Sequence, residues 1–235
     1  MEDKLKDLVN RLQAAHRNQL VSVILYGSAA SGNHHAKFSD LNVLCILAQV
    51  TPAELAASEP VFKWWRELGN PAPLLMSETE VRTSTDCFPI EFHDMQERRR
   101  VLYGKDVIAD LVIDRSFYRA QVEFDLRSKL LRLRQKAAGV LTDKPALLRL
   151  MIESVSTFCV LARHVLLLAG VEAGFRKHET VAKLRDIGLD ATALETLLDI
   201  RAEHKKPGDV EAGALFSSYL QQIEALVAHV DRLEK

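Results

Sequence analysis

The stretch LYGSAASGNHHAKFSDLNVLCIL, residues 25–47, decides the fold of this 235-residue chain. It begins with the last residues of one apolar run, QLVSVILY (19–26). It continues through small residues and ends with a second apolar run, SDLNVLCIL (39–47). Both runs are short and apolar, which predicts two buried strands joined by a Gly-Ser turn. The second run opens on Asp-Leu-Asn, so polar side chains stand where a buried strand begins.

Asp40 and Asn42 are two residues apart at the start of this second strand. Side chains at positions i and i+2 of a strand point to the same face, about 7 Å apart along the chain. We therefore expect Asp40 and Asn42 to share one face, while Leu41 and Val43 enter the core.

The turn between the two strands is suited to an anion. Gly27 permits a close approach of the backbone, and Ser28 offers a hydroxyl group and an amide. The small residues that follow leave room for a phosphate chain, and backbone amides at such a turn favour anion binding.

Two further strands are predicted in the same half of the chain, PLLMS (73–77) and PIEFHDM (89–95). In the latter, Ile90 and Phe92 alternate with Glu91 and His93, which is typical of a half-buried strand. Glu91 would join Asp40 and Asn42 if its strand is adjacent. Thr51-Pro52 and the Ser77–Glu80 capping pattern mark the starts of two helices.

From about residue 113 strand patterns give way to helical periodicity. Helices are predicted over roughly 115–138, 144–169 and 210–234, with shorter ones between them. The fold class is therefore α+β, with an N-terminal mixed sheet and flanking helices (1–112) followed by an all-α helical bundle (113–235).

Converging oxygen ligands next to a phosphate-binding turn suit two-metal phosphoryl chemistry. Two Mg²⁺ ions, roughly 3.5–4 Å apart, clamp the attacking and leaving oxygens of an in-line displacement. Side chains supply part of the oxygen shell and the phosphates supply the rest.

The pattern YGSAASG…SDLNVL, followed about fifty residues later by FPIEFHDM…VLYGKD, resembles the DNA polymerase β-like nucleotidyltransferase superfamily. The likeness is to small bacterial members of the kanamycin-nucleotidyltransferase and minimal-nucleotidyltransferase type. It covers residues 20–106, and several such proteins also carry a helical bundle after the catalytic domain.

The resemblance implies a Mg²⁺-dependent (or Mn²⁺-dependent) transfer of a nucleoside monophosphate from an NTP to a hydroxyl acceptor, a small molecule or a protein. Gly27 and Ser28 match the phosphate-binding turn, and Lys37 is near enough to meet a phosphate, although a solvated loop lysine is the alternative. Asp40 matches the first metal ligand. Glu91 matches the third carboxylate, which can also serve as base.

Two positions depart from the family pattern. Asn42 stands where the second carboxylate is usual, and Ser31 stands where many small members have Arg. An amide oxygen can bind Mg²⁺ but carries no charge. A catalytically degenerate protein that binds a nucleotide or a protein partner is therefore an alternative, as is an unrelated α/β scaffold that shares only the turn.

Other features carry less information. His34 and His35 are expected to be exposed loop residues, since no third metal partner is evident. The basic run Arg98–Arg100 and the basic helix near residue 127 could face a triphosphate or RNA, but a solvated face is favoured because acidic residues are interleaved and aromatic side chains are few. A formal net charge of −1 gives no overall attraction to nucleic acid or membranes.

The compartment and assembly are inferred from composition. The three cysteines, Cys45, Cys87 and Cys159, match no metal-ligand spacing and are expected to be buried. Arg163 and His164 interrupt the most apolar segment, so we expect a cytoplasmic protein without a membrane span. The apolar C-terminal helix fits either its own bundle or a homodimer.

Overall fold

A computed structural model describes residues 1–31, 41–114 and 116–233, without the side chains of Ser28 and Ser31. The described chain divides into two units, 1–116 and 117–235. Each unit is considered by itself below.

The N-terminal unit contains a four-stranded sheet with helices on both faces. Its strands are β1 (Leu20–Tyr26), β2 (Asn42–Leu47), β3 (Leu74–Ser77) and β4 (Arg99–Gly104). Its helices are α1 (Glu2–His16), α2 (Pro52–Glu67), α3 (Glu78–Thr83) and α4 (Pro89–Glu97). The expected capping boxes at Thr51 and Ser77 are both confirmed.

The sheet is mixed, with the strand order β3-β2-β1-β4. β1 pairs antiparallel with both β2 and β4, whereas β2 and β3 are parallel. The predicted fold class, an α+β chain with a mixed sheet followed by helices, is therefore confirmed. β4 lies at the edge next to β1, and β3 forms the opposite edge.

Alternate residues of the two central strands fill two separate cores. Val23, Leu25, Val43 and Cys45 point to one face and pack with residues of α1 and α2. On the other face, Ile24, Leu44 and Ile46 pack against α4 through Phe92 and Met95. Because both faces are covered, the central strands read as continuous apolar runs in the sequence.

The strand predicted over residues 89–95 is wrong, because this segment forms α4. Pro89 occupies the first helical position, where its missing N–H costs nothing. Phe92 and Met95, three residues apart, then face the sheet together. Glu91 consequently lies in the first turn of a helix and not on a strand.

The fourth strand is instead the segment RRVLYG, in which the charged residues concealed the strand pattern. Arg99 forms an ion pair with Asp106, with Nη2 2.9 Å from Oδ2, and Arg100 pairs with Glu2 at 3.0 Å. An edge strand accepts such charges because one of its sides is not covered by another strand.

The second unit is a bundle of helices around one central helix. The helices are α5 (Tyr118–Ala137), α6 (Lys144–Leu168), α7 (Lys177–Ala182), α8 (Thr192–Arg201) and α9 (Ala212–Arg232). α6 packs against the other four. Polar groups in this core are paired, as where the Tyr219 and Ser154 hydroxyls lie 3.0 Å apart.

By length and composition alone, α6 is apolar enough to cross a membrane. However, 56% of its most apolar window is buried among the other helices. Arg163 and His164 are themselves buried, and Arg163 donates to the carbonyl oxygen of Ala173 at 3.2 Å. This is the pattern of a core helix.

The cysteine prediction is confirmed at two positions and wrong at the third. Cys45 and Cys159 are buried, and burial raises the pKa of each thiol to about 12. Cys87 is exposed, in the turn before α4.

Candidate functional site

The turn after β1 has the backbone geometry that requires glycine. Gly27 has a φ of +77°, in the left-handed region that side chains disfavour. Its N–H donates to the carbonyl oxygen of Arg98 at 3.1 Å, which ties the turn to the residue before β4. Its carbonyl oxygen accepts from the N–H of Ala30 at 3.1 Å, and a short 3₁₀ turn (Ser28–Ser31) follows.

Asn42 lies beside this turn. It is the first residue of β2 and pairs across the strands with Tyr26, the last residue of β1. A Cβ atom added to Gly27 would lie 3.5 Å from Asn42 Nδ2. Leu41 and Val43 are buried in the α1/α2 core, as predicted. Asn42 shares its face with Leu44 and Ile46, so it lies on the α4 side of the sheet.

Glu91 approaches the same corner from α4. Its side chain is exposed, in the acidic first turn of the helix, where the helix dipole favours a carboxylate. Burial raises the pKa of the Tyr26 phenol, and the nearby negative charge of Glu91 raises it further. Glu91 and Tyr26 are thus close enough to interact electrostatically.

The structure thus brings Gly27, Asn42 and Glu91 to one end of the sheet. Asp40 and Lys37 lie outside the described residues, and so do His34 and His35. Ser28 is described only as the first residue of the 3₁₀ turn.

Two side chains of this corner, among the described residues, carry oxygen atoms of the type that Mg²⁺ binds. The amide oxygen of Asn42 and the carboxylate of Glu91 are hard ligands, which this ion prefers. Within residues 1–31, 41–114 and 116–233 no group of three His, Cys, Asp or Glu side chains could hold a metal ion. A complete metal site in this corner would therefore need a further ligand from outside these residues.

Tyr26 is the site residue that the sequence did not indicate. The sequence pattern marks it only as the apolar end of a strand, yet it is half-buried and packs against the core cluster that contains Phe92 and Met95, on the α4 side. Its place in the sequence, directly before the Gly-Ser turn, could have identified it, because this turn sets it opposite the first residue of β2.

The arginines of the basic run have structural partners. Arg99 Nε lies 2.9 Å from both carboxylate oxygens of Asp106, and Arg99 also donates to the carbonyl oxygen of Gln96. Arg100 donates to Glu2. Arg99 and Arg100 are therefore both engaged in contacts within the N-terminal unit.

A groove of about 630 Å³ lies wholly within the helical unit. It is lined by Lys144, Leu148 and the segment 207–212. It contains none of the predicted site residues.

The fold of the chain is similar to that of a solved adenyltransferase. The crystal structure of the spectinomycin adenyltransferase AAD(9) from Enterococcus faecialis, with ATP and spectinomycin, superposes with a TM-score of 0.64. The match covers 99% of this chain and 100% of that one, at 12% sequence identity. The chain therefore has a nucleotidyltransferase fold.

The remaining comparisons add little to this nucleotidyltransferase fold. A toxin-antitoxin structure with AMP-PNP covers 43% of the chain and 74% of its own, at 16% identity. Its TM-score of 0.31 is too low to establish a shared fold. No protein-family model matches the sequence, and no curated protein matches it.

Proposed function

We propose that the protein transfers a nucleoside monophosphate from an NTP to a hydroxyl group and releases pyrophosphate. The observation that carries the proposal is the placement of Gly27, Asn42 and Glu91 at one corner of a nucleotidyltransferase fold. The left-handed glycine, the oxygen donor at the start of β2 and the carboxylate on α4 come from three separate elements and converge there.

Each residue has a defined role in this reaction. The Gly27–Ser28 turn binds the β- and γ-phosphates, because Gly27 has no side chain to obstruct them and the amide and hydroxyl of Ser28 would donate to them. The acceptor oxygen attacks the α-phosphorus, the bond from that phosphorus to the β-bridging oxygen breaks, and pyrophosphate leaves. Glu91 accepts the proton of the acceptor hydroxyl.

Asp40, Asn42 and Glu91 would hold Mg²⁺ or Mn²⁺, with the phosphates completing the oxygen shell. When bound, the ion stabilises negative charge on the transferring phosphoryl group. Asn42 lacks the charge of a carboxylate, so we expect weaker metal binding than at a site with three carboxylates. We propose that this lowers the rate without abolishing the reaction.

ATP and a small hydroxylated acceptor are the substrates to test first. The structurally similar spectinomycin adenyltransferase was crystallised with ATP and spectinomycin. A protein hydroxyl is the other acceptor class that the proposed chemistry permits.

The experiment follows label from each NTP, labelled at the α-phosphate, into acceptors in the presence of Mg²⁺ or Mn²⁺. The acceptors are a panel of aminoglycosides and aminocyclitols and the protein itself. We expect labelled product and one pyrophosphate per transfer, both lost in Asp40→Ala. Binding of a nucleotide without any transfer would support the degenerate alternative. Absence of both binding and transfer would contradict the proposal.

A further inference from the structure

The outer face of α5 carries three large apolar side chains in a line. Phe117, which caps the helix, and Phe124 are each 64% exposed, and Leu131 is 62% exposed. They are spaced by seven residues, close to two helical turns, so all three lie along one side of α5. We name these three residues the α5 stripe.

The α5 stripe is distinct from the side of the helix that builds the bundle. That side is buried through Val122, Leu126, Leu130 and Leu133. Isolated apolar side chains on a surface are normal. Here three large ones lie along one line of a helix, where a second helix can cover all of them.

Two charged residues flank the α5 stripe on the same side. Asp125 follows Phe124 and Arg132 follows Leu131, one heptad apart. Asp125 accepts a hydrogen bond from Gln121 Nε2 at 3.1 Å but forms no ion pair with any residue that the structure describes. Arg132 is exposed and, within the same described part of the chain, also has no ion-pair partner.

The charge along α5 is also asymmetric. Its acidic residues, Glu123 and Asp125, lie in the N-terminal half. The C-terminal half is basic, with Lys129, Arg132, Arg134 and Lys136. The N-terminal half also carries Arg119 and Arg127, and both pair with Glu123. Asp125 is therefore the acidic residue of α5 that is left for an antiparallel copy, where it faces the basic half of the other helix.

We propose that the α5 stripe is the contact between two copies of this chain, packed antiparallel about a two-fold axis. Phe124 packs beside the partner's Leu131, and the two-fold axis repeats this contact. In this register Asp125 lies within about 3 Å along the axis of the partner's Arg132, since each residue rises 1.5 Å. Both charges lie on the flank that meets itself across such an axis.

The size of the contact sets the expected affinity. A helix of about 20 residues is roughly 30 Å long, so this interface lies at the lower end of those that form specific complexes. We expect a concentration-dependent dimer with a dissociation constant on the order of micromolar. The inference rests on the helical unit alone and is independent of the proposed chemistry.

The test is sedimentation equilibrium of the full chain from about 1 µM to about 200 µM, a range that spans the expected dissociation constant. Asp125→Arg and Arg132→Asp are each expected to weaken the dimer at least about tenfold, because like charges then meet across the axis. The double variant exchanges the two charges and should restore the wild-type constant to within about threefold.

A second series tests the apolar part of the α5 stripe. Phe124→Asp and Leu131→Asp should give monomers, whereas Leu55→Asp, which changes a leucine that is 53% exposed on α2, should leave the dimer intact. Circular dichroism shows whether each variant folds. If the aspartate variants do not fold, the charge-exchange variants alone test the interface.

Three results would overturn the proposal. One is a wild-type monomer at about 200 µM, far above the expected dissociation constant. Another is a dimer that Phe124→Asp and both single charge reversals leave unchanged, which places the interface elsewhere. The third is that both single charge reversals weaken the dimer and the double variant does not restore it, which excludes the antiparallel register.

Discussion

Tyr26, the last residue of β1, lies directly opposite Asn42, the first residue of β2. This pairing sets the Gly27 turn next to the polar start of β2, because Gly27 follows Tyr26 in the chain. The negative charge of Glu91 acts on the same tyrosine from α4. Three elements thus meet at Tyr26, and the predictions for the site follow from this arrangement.

Replacing Asn42 by Asp should strengthen metal-dependent nucleotide binding. A negative charge about 4 Å from a unit positive charge is worth on the order of 4 kcal/mol at an effective dielectric constant of 20. Calorimetric titration of ATP with Mg²⁺ or Mn²⁺ should therefore show an affinity up to ~10³-fold higher. Asn10→Asp, an exposed change on α1, is the matched control and should have no effect. Equal affinities for Asn42→Asp and wild type would exclude Asn42 as a ligand.

Replacing Glu91 by Gln should slow the transfer step itself, even when the nucleotide site is saturated. The amide retains an oxygen but cannot accept a proton, so kcat should fall by ~10²–10⁴. Because Glu91 is also a proposed metal ligand, loss of its charge should weaken metal-dependent nucleotide binding as well. The fall in kcat is therefore measured at saturating nucleotide and metal, where weaker binding no longer affects it. Glu97→Gln, at the other end of α4, is the control and should keep full activity. If both variants retain the wild-type kcat, Glu91 is not the base.

Replacing Gly27 by Ala should reduce both stability and nucleotide binding. Gly27 has a φ of +77° and Gly69 a φ of +84°, a conformation that costs a residue with a Cβ about 1–2 kcal/mol. Urea unfolding should show a similar loss for Gly27→Ala and Gly69→Ala. A Cβ at Gly69 would have no atom within 4 Å, and Gly69 is not part of the proposed site. Only Gly27→Ala should therefore also weaken ATP binding. If Gly27→Ala bound ATP like Gly69→Ala, the turn would not be the phosphate site.

The N-terminal unit should lose stability as the pH falls below about 6.5, the ordinary pKa of histidine. Burial lowers the pKa of His16 below its ordinary value of 6.5, although the charge of Glu54 opposes this. The unfolded chain therefore binds a proton more readily than the folded one over this range, and stability rises with pH. His16 Nε2 also lies 3.0 Å from Ser58 Oγ.

Urea unfolding at several pH values, for wild type and for His16→Gln, measures this contribution. The pH dependence of stability should be smaller in His16→Gln. The control His204→Gln, at an exposed histidine, should leave this pH dependence unchanged. A wild-type slope that persists undiminished in His16→Gln would assign the effect to another group.

The central strands and the long helices were predictable because their local signals agree with their environment. β1 and β2 are buried on both faces, so continuous apolar runs mark them. Thr51 and Ser77 mark the starts of α2 and α3 through their own side chains. In these elements the residues that define the pattern also make the contacts.

The segment 89–104 was not predictable because its contacts are distant in the sequence. Ile90 and Phe92 fit a strand as well as a helix, and the choice depends on how Phe92 and Met95 pack on the sheet. β4 contains arginines whose partners, Asp106 and Glu2, become visible only in three dimensions. For the same reason the sequence indicated Glu91 as a site residue but placed it on a strand.

The central claim is that residues 27–42 and Glu91 form a metal-dependent nucleotide site. Thermal unfolding with ATP, GTP, CTP and UTP, each with and without Mg²⁺ or Mn²⁺, tests it most directly. Wild type is compared with Asp40→Ala and with the control Asp110→Ala, an exposed aspartate of the same unit.

A ligand at 100 times its dissociation constant stabilises the folded state by about 2.7 kcal/mol. For a chain of this size the midpoint should rise by roughly 5–10 °C. We expect at least one nucleotide to give this rise only with metal, in wild type and Asp110→Ala but not in Asp40→Ala. No rise with any nucleotide, or a rise that Asp40→Ala retains, would contradict the account.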